Sequence, residues 1–253
     1  MQSEGLEFKR VRNNDTIILI HGAWHGSWCF DRIIPTLQAL GHKVIAPDLP
    51  GHGNSKENMA DQTLEKYVAF VLGILDAQPE PVILAGHSMA GMIITEVAER
   101  RPEKVKKLVY MNAFLPLPGQ SAQGTDGSGI TPKDFSKVTK DGYTQSWATE
   151  VVRNVFGQNC SELDKRYILE HLNKLQAIEP LTAKVYPTAE RWGSVRRFFI
   201  AGACDIAMTL DKVKSMLVNI PCEEVYAVEG DHEIFCSAPD ELAFTLHTIA
   251  LKD

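Results

Sequence analysis

The sequence predicts an α/β protein: a mostly parallel sheet, helices on both faces, and a helical cap inserted late in the sheet. Three observations predict it. Short apolar, β-branched runs alternate with amphipathic stretches through the first 114 residues, a rhythm that means parallel strands joined by helices. The rhythm stops from Leu115 to about Trp192 and resumes at Val195. One apolar run, Val82 to Ala85, turns through Gly86-His87-Ser88-Met89-Ala90 into the helical pattern Met92 to Ala98. A serine on such a strand-to-helix turn is a nucleophile elbow.

In order along the chain, a short edge strand is expected near Phe8 to Val11, then a buried strand, Thr16 to Ile20. His21-Gly22-Ala23 follows at the carboxyl edge, where open α/β sheets bind ligands. Trp28 to Ala39 reads as a helix closed by Gly41. Lys43 to Ala46 is a strand, Pro47 to Ser55 a turn-rich loop, and Thr63 to Leu75 a helix with Leu64, Tyr67, Val68, Val71 and Leu75 near one face. The elbow helix runs to about Arg100 and ends before Pro102. Val105 to Met111 is a strand leading into Asn112-Ala113-Phe114-Leu115.

The strandless stretch 115–192 is expected to cap the sheet's carboxyl edge, leaving 1–114 and 193–253 as the core. Gly119 to Gly129 reads as loop; Pro132 to Lys137 and Leu163 to Leu175 read as helices, with Trp147, Phe156 and Tyr167 scattered among them. Such a cap excludes water and lines a pocket. Trp147 is the candidate wall residue, with plain packing the alternative. The sheet resumes with Val195 to Ala201, and a loop carrying Asp205 follows. Leu210 to Leu217 is a helix, Glu223 to Val228 the last strand, then Gly230-Asp231-His232 and a terminal helix, Pro239 to Leu251.

Composition excludes several classes. The net charge is −6 with no basic cluster, which disfavours nucleic acid. Five irregularly spaced cysteines without Cys-x-x-Cys fit free thiols in a reducing compartment. The N-terminus has no signal-peptide pattern, and no apolar run approaches the roughly 18 residues of a membrane span. A soluble, cytoplasmic protein is expected. No His-x-x-x-His pair or carboxylate cluster favours a metal, and no cofactor is expected.

The three residues past strand ends point to acyl transfer. A serine hydroxyl is a poor nucleophile until an imidazole takes its proton. His232 is placed to do that for Ser88, with Asp205 fixing its tautomer. Asp211 and Asp231 are rival acids, and Asp231 faces away if His232 faces the serine. His87 adjoins Ser88 but should point elsewhere from the turn. Two backbone N–H groups must meet the developing oxyanion, those of Met89 and Ala23.

Over its whole length the chain resembles the α/β-hydrolase superfamily. Within it, His21-Gly22-Ala23-Trp24-His25-Gly26-Ser27-Trp28 together with Gly230-Asp231-His232 resembles the group of plant methylesterases, salicylic-acid-binding-protein-type esterases and hydroxynitrile lyases, with their bacterial relatives. The resemblance implies Ser88, Asp205 and His232 as the triad and Ala23 and Met89 as the oxyanion hole. Lyases of the group carry threonine where this chain has Gly22 and lysine where it has Glu233, so those departures argue against lyase chemistry. Glu233 also differs from the apolar residue usual in the methylesterases. Beside a pocket it would repel anionic substrates; turned outward it would be an ordinary surface carboxylate. The expected function is a carboxylesterase acting on small to medium esters, with amide or carbamate xenobiotics as further substrates. A hydroxynitrile-lyase-type enzyme, a slow-turnover small-molecule receptor and a cofactor-free oxygenase are the alternatives. Expected pocket residues are Trp24, Phe114, Leu115, Trp147 and Glu233. A homodimer through the cap or a sheet edge is an open alternative.

Overall fold

A computed structural model describes residues 15–123 and 136–253. The six-stranded sheet runs in the order β2-β1-β3-β4-β8-β9, every pair parallel. Its strands are β1 (Thr16–Ile20), β2 (Lys43–Ile45), β3 (Val82–His87), β4 (Val105–Met111), β8 (Arg197–Gly202) and β9 (Glu224–Val228). The central strands are apolar on both faces because helices cover both: Ile17 to Ile20 and Val82 to Ala85 have no exposed surface. Helix α1 (Ile34–Ala39) packs on the terminal helix α5 (Pro239–Ala250). Helix α2 (Leu64–Asp76) packs on α3 (Ala90–Arg100). Helix α2 starts where Thr63 accepts a hydrogen bond from the Lys66 N–H, as an N-cap should.

The helix expected over Trp28 to Ala39 is split. A 3₁₀ turn, Ser27–Phe30, precedes α1. Pro35 sits at the start of α1, where its missing N–H costs nothing; a helix running through it would lose a bond and clash. The strand expected near Phe8 to Val11 lies outside the described residues.

Stretch 115–192 is not purely helical. It contains a small antiparallel sheet of β5 (Ser136–Val138), β6 (Thr144–Trp147) and β7 (Gln176–Ala177). These strands are short and polar, so no apolar run announces them. Of the helix expected over Pro132 to Lys137, only Ser136 and Lys137 fall in the described residues, and both are in β5. Helix α4 (Glu162–His171) matches the start of the second expected helix but ends earlier. Between β6 and α4, residues Val152–Phe156 form a π-helical turn, a feature frequent at functional sites. Among the described residues no helix is long and apolar enough to cross a membrane.

Candidate active site

The elbow is strained and over-determined. Ser88 follows β3 with φ of +52°, a left-handed conformation that costs a non-glycine residue roughly 1–3 kcal/mol. Its backbone is held on both sides: Ser88 N–H donates to Met111 O at 3.3 Å, while Ser88 O accepts from Phe114 N at 3.2 Å and Gly91 N at 3.1 Å. Small neighbours are obligatory here. A Cβ on Gly91 would lie 1.9 Å from Phe114 O, and one on Gly86 would lie 3.0 Å from Ala90 O. Ala90 itself is accommodated, fully buried.

Asp205 lies three residues past β8 and His232 four past β9. Asp205 Oδ1 accepts the N–H groups of Ala207 at 2.8 Å and Met208 at 2.7 Å. That aims Oδ2 at His232 Nδ1, 2.7 Å away, and His232 Nε2 stands 3.1 Å from Ser88 Oγ. A carboxylate only accepts, so Nδ1 carries the proton and Nε2 presents its lone pair to the serine. Burial alone would depress the His232 pKa, but the charge and hydrogen bond of Asp205 outweigh it and raise it above the ordinary imidazole value, with Glu233 and Asp231 adding to the rise. The rival acids point elsewhere. Asp231 accepts Asn159 N–H at 2.8 Å, and Asp211 pairs with Lys214 in solvent.

Two supporting residues carried no assigned role from sequence. His87 points away from the serine, as expected, and its Nε2 is 2.9 Å from His232 O; burial drives its pKa far down, so the ring is neutral. Asn112, at φ +44° just past β4, accepts Gly202 N–H at 2.6 Å and donates to Asp231 O at 2.8 Å. It ties the ends of β4 and β8 to the histidine loop. An asparagine at a strand end, tolerant of positive φ, was the one available signal.

Among the described residues the backbone N–H groups of Ala23 and Met89 have no acceptor. Both residues are buried, and buried donors are seldom left orphaned. Met89 stands at the N-terminus of α3, whose dipole favours negative charge.

Trp24 is buried, and its φ of +63° belongs to the same strained class as Ser88. Its N–H donates to Gln176 Oε1 at 3.0 Å, its O accepts Asn173 N–H at 2.7 Å, and its Nε1 donates to Gln145 O at 3.2 Å. Phe114 and Trp147 are half-buried and Leu115 is buried. Glu233 corrects its expectation on both counts. It faces neither a pocket nor solvent: it is fully buried, with its carboxylate oxygens 2.9 and 3.1 Å from His25 Nε2. The partner lies 208 positions earlier in the chain, so adjacency to His232 did not reveal it. Phe156, from the π-helical turn, sets its ring 5.1 Å from that of His232; its sequence context held no sign of this.

A family model described as "Alpha/beta hydrolase family" matches residues 17–243. Methylesterase 7 of Arabidopsis thaliana is 28% identical, over 95% of this chain and 98% of its own length. An alpha-hydroxynitrile lyase of the same plant is 29% identical over 92% of this chain and 96% of its own. Among solved structures, a pyrethroid hydrolase superposes with a TM-score of 0.81 at 26% identity, covering 93% of this chain and 97% of that one.

Proposed function

The chain belongs to the alpha/beta hydrolase family, and we propose that it is a serine carboxylesterase working through an acyl-enzyme. One observation carries the reading: His232 bridges Asp205 at 2.7 Å and Ser88 Oγ at 3.1 Å, beside two N–H donors without acceptors among the described residues. Ser88 Oγ attacks the ester carbonyl as His232 Nε2 takes its proton, and Asp205 stabilises the imidazolium. Ala23 and Met89 hold the tetrahedral oxyanion. His232 returns the proton to the departing alcohol, then activates water to free the acid. The methylesterase and pyrethroid-hydrolase similarities support ester substrates. We read 115–192 as the cap that selects them, with uncharged esters of small to medium size first and carbamates or amides next. Five unpaired thiols support a reducing, cytoplasmic setting.

The hydroxynitrile-lyase similarity motivates a second reading, cleavage of a cyanohydrin. Two observations weigh against it. A Cβ at Gly22 would stand 2.9 Å from both Ser88 Cβ and His87 Nδ1, leaving no room for threonine, and Glu233 supplies no cation.

Burst kinetics on a panel of p-nitrophenyl esters test the proposal. Ser88→Ala is expected to lose on the order of 10³-fold or more in kcat with unchanged unfolding, as for a nucleophile acting with its base. Hydrolysis that survives Ser88→Ala would sink the mechanism. Wild-type release of cyanide from mandelonitrile without ester turnover would favour the lyase.

A further inference from the structure

Glu233 and His25 are buried side by side, and neither is a member of the proposed triad, although the Glu233 charge adds to the rise at His232. Both ring nitrogens of His25 meet acceptors. Nδ1 is 2.7 Å from Ala23 O, and Nε2 faces the Glu233 carboxylate at 2.9 and 3.1 Å. A carbonyl oxygen can only accept, so Nδ1 must donate, and Nε2 then shares a proton with the carboxylate. We infer that Glu233 and His25 form a buried carboxylate–imidazolium pair that positions the oxyanion loop.

The pair acts on one peptide unit. The Ala23–Trp24 peptide is gripped at both ends: His25 Nδ1 takes its C=O, and Gln176 Oε1 takes its N–H at 3.0 Å. This holds Trp24 at φ +63° and turns its N–H into the 115–192 insertion. The Ala23 N–H is left without an acceptor among the described residues. A strained residue persists only where its surroundings over-determine it, and a charge-assisted bond from His25 is stronger than a neutral one. Glu233 is itself anchored, its N–H donating to Phe156 O at 3.1 Å and its O accepting from Cys236 N at 2.7 Å and Ser237 N at 2.9 Å. The groups facing His25 permit the charge. Trp28 stacks on its ring at 5.4 Å and Phe235 meets it in a T-shaped contact at 5.5 Å, while His87, 5.6 Å away, and the nearby His21 and His52 are all pushed down by burial and kept neutral. Glu233 and His25 are thus positioning residues. The inference rests on the proposed esterase only in taking Ala23 as an oxyanion donor.

The test compares wild type with Glu233→Met and the double variant His25→Phe/Glu233→Met. The double variant removes both charges together, so no buried carboxylate is stranded and folding can be checked by thermal unfolding. Ring ¹⁵N spectra of histidine-labelled protein should show His25, identified by its loss in the double variant, protonated at both nitrogens in wild type and at one in Glu233→Met. On p-nitrophenyl butyrate the double variant should lose about 10²-fold in kcat, the size of effect known for one oxyanion donor. Its KM should stay near wild type, and Glu233→Met should fall between. A His25 ring with one bare nitrogen in wild type, or full kcat in a folded double variant, would overturn the inference. Failure of the esterase reading is separately visible as turnover insensitive to Ser88→Ala, and the ring spectra still decide the pair.

Discussion

The carboxyl edge of the sheet and the 115–192 insertion hold their residues by different means. At the edge, Ser88, Asp205 and His232 stand one to four residues past β3, β8 and β9. Their positions follow from strand register and tight turns. In the insertion, strands of two to four residues carry little register of their own. That region is held by apolar packing of residues such as Val152, Ile168 and Leu172 and by individual bonds reaching the core, such as Gln176 to Trp24 N and Asn173 to Gly51 O and Gly53 N. The difference teaches where to expect large effects. Changes at the edge should act on kcat, and changes in the insertion on KM and local stability.

The largest effect after Ser88→Ala is expected at Asp205. Asp205→Asn leaves the shape intact but lets His232 adopt the wrong tautomer, so kcat on a p-nitrophenyl ester should fall about 10³- to 10⁴-fold. Asp231→Asn, whose carboxylate faces Asn159, should cost far less. Equal losses would mean that the edge does not assign its acid through the geometry described.

This contrast also governs what could be read in advance. The central sheet strands are short apolar runs buried on two faces, and the elbow and Gly230-Asp231-His232 are local in sequence; all were legible. The polar strands β5 to β7 were not, because nothing in Ser136–Val138 or Gln176–Ala177 rises above loop composition. Glu233 was misplaced for a different reason. Its neighbour in the chain is His232, but its partner, His25, is brought in only by the fold.

A second difference is acid sensitivity. The edge buries His21, His52 and His87, and burial pushes the pKa of each down, that of His52 from 6.5 to about 4. The insertion's His171 is exposed. A folded-state pKa below the unfolded one means that the unfolded chain binds more protons. The stability tied to neutral His52 is therefore present above about pH 6.5 and lost as the pH falls through about 4. The shift amounts to roughly 3 kcal/mol at 1.36 kcal/mol per unit. Urea unfolding at pH 7.5 and 4.5 should show the drop, and His52→Gln should flatten it. An unchanged slope would locate the acid sensitivity elsewhere.

On the insertion side, Trp147→Phe keeps a ring but removes the Nε1 donor to Asn173 O at 2.7 Å. The loss should be about 1 kcal/mol. Because Asn173 also donates to Trp24 O, it should surface as a higher KM with kcat nearly constant. A fall in kcat instead would show that Asn173 transmits strain to the loop carrying Ala23 and Trp24, and the two regions would then act as one.

The smallest change gives the sharpest separation. Ser161 caps α4, accepting Asp164 N–H at 3.1 Å, and Asp164 also pairs with Arg32 of the core. Ser161→Ala should cost about 1 kcal/mol, and Arg32 would still tether the helix. Hydrogen exchange should therefore quicken in Glu162 to His171 and stay unchanged in β3 and β4, with ester turnover at the wild-type rate. If this distant cap moved kcat several-fold, the edge would not be self-sufficient. Its turns would need the insertion to hold them, and the left-handed backbone at Trp24, gripped from both regions, would be the place to look.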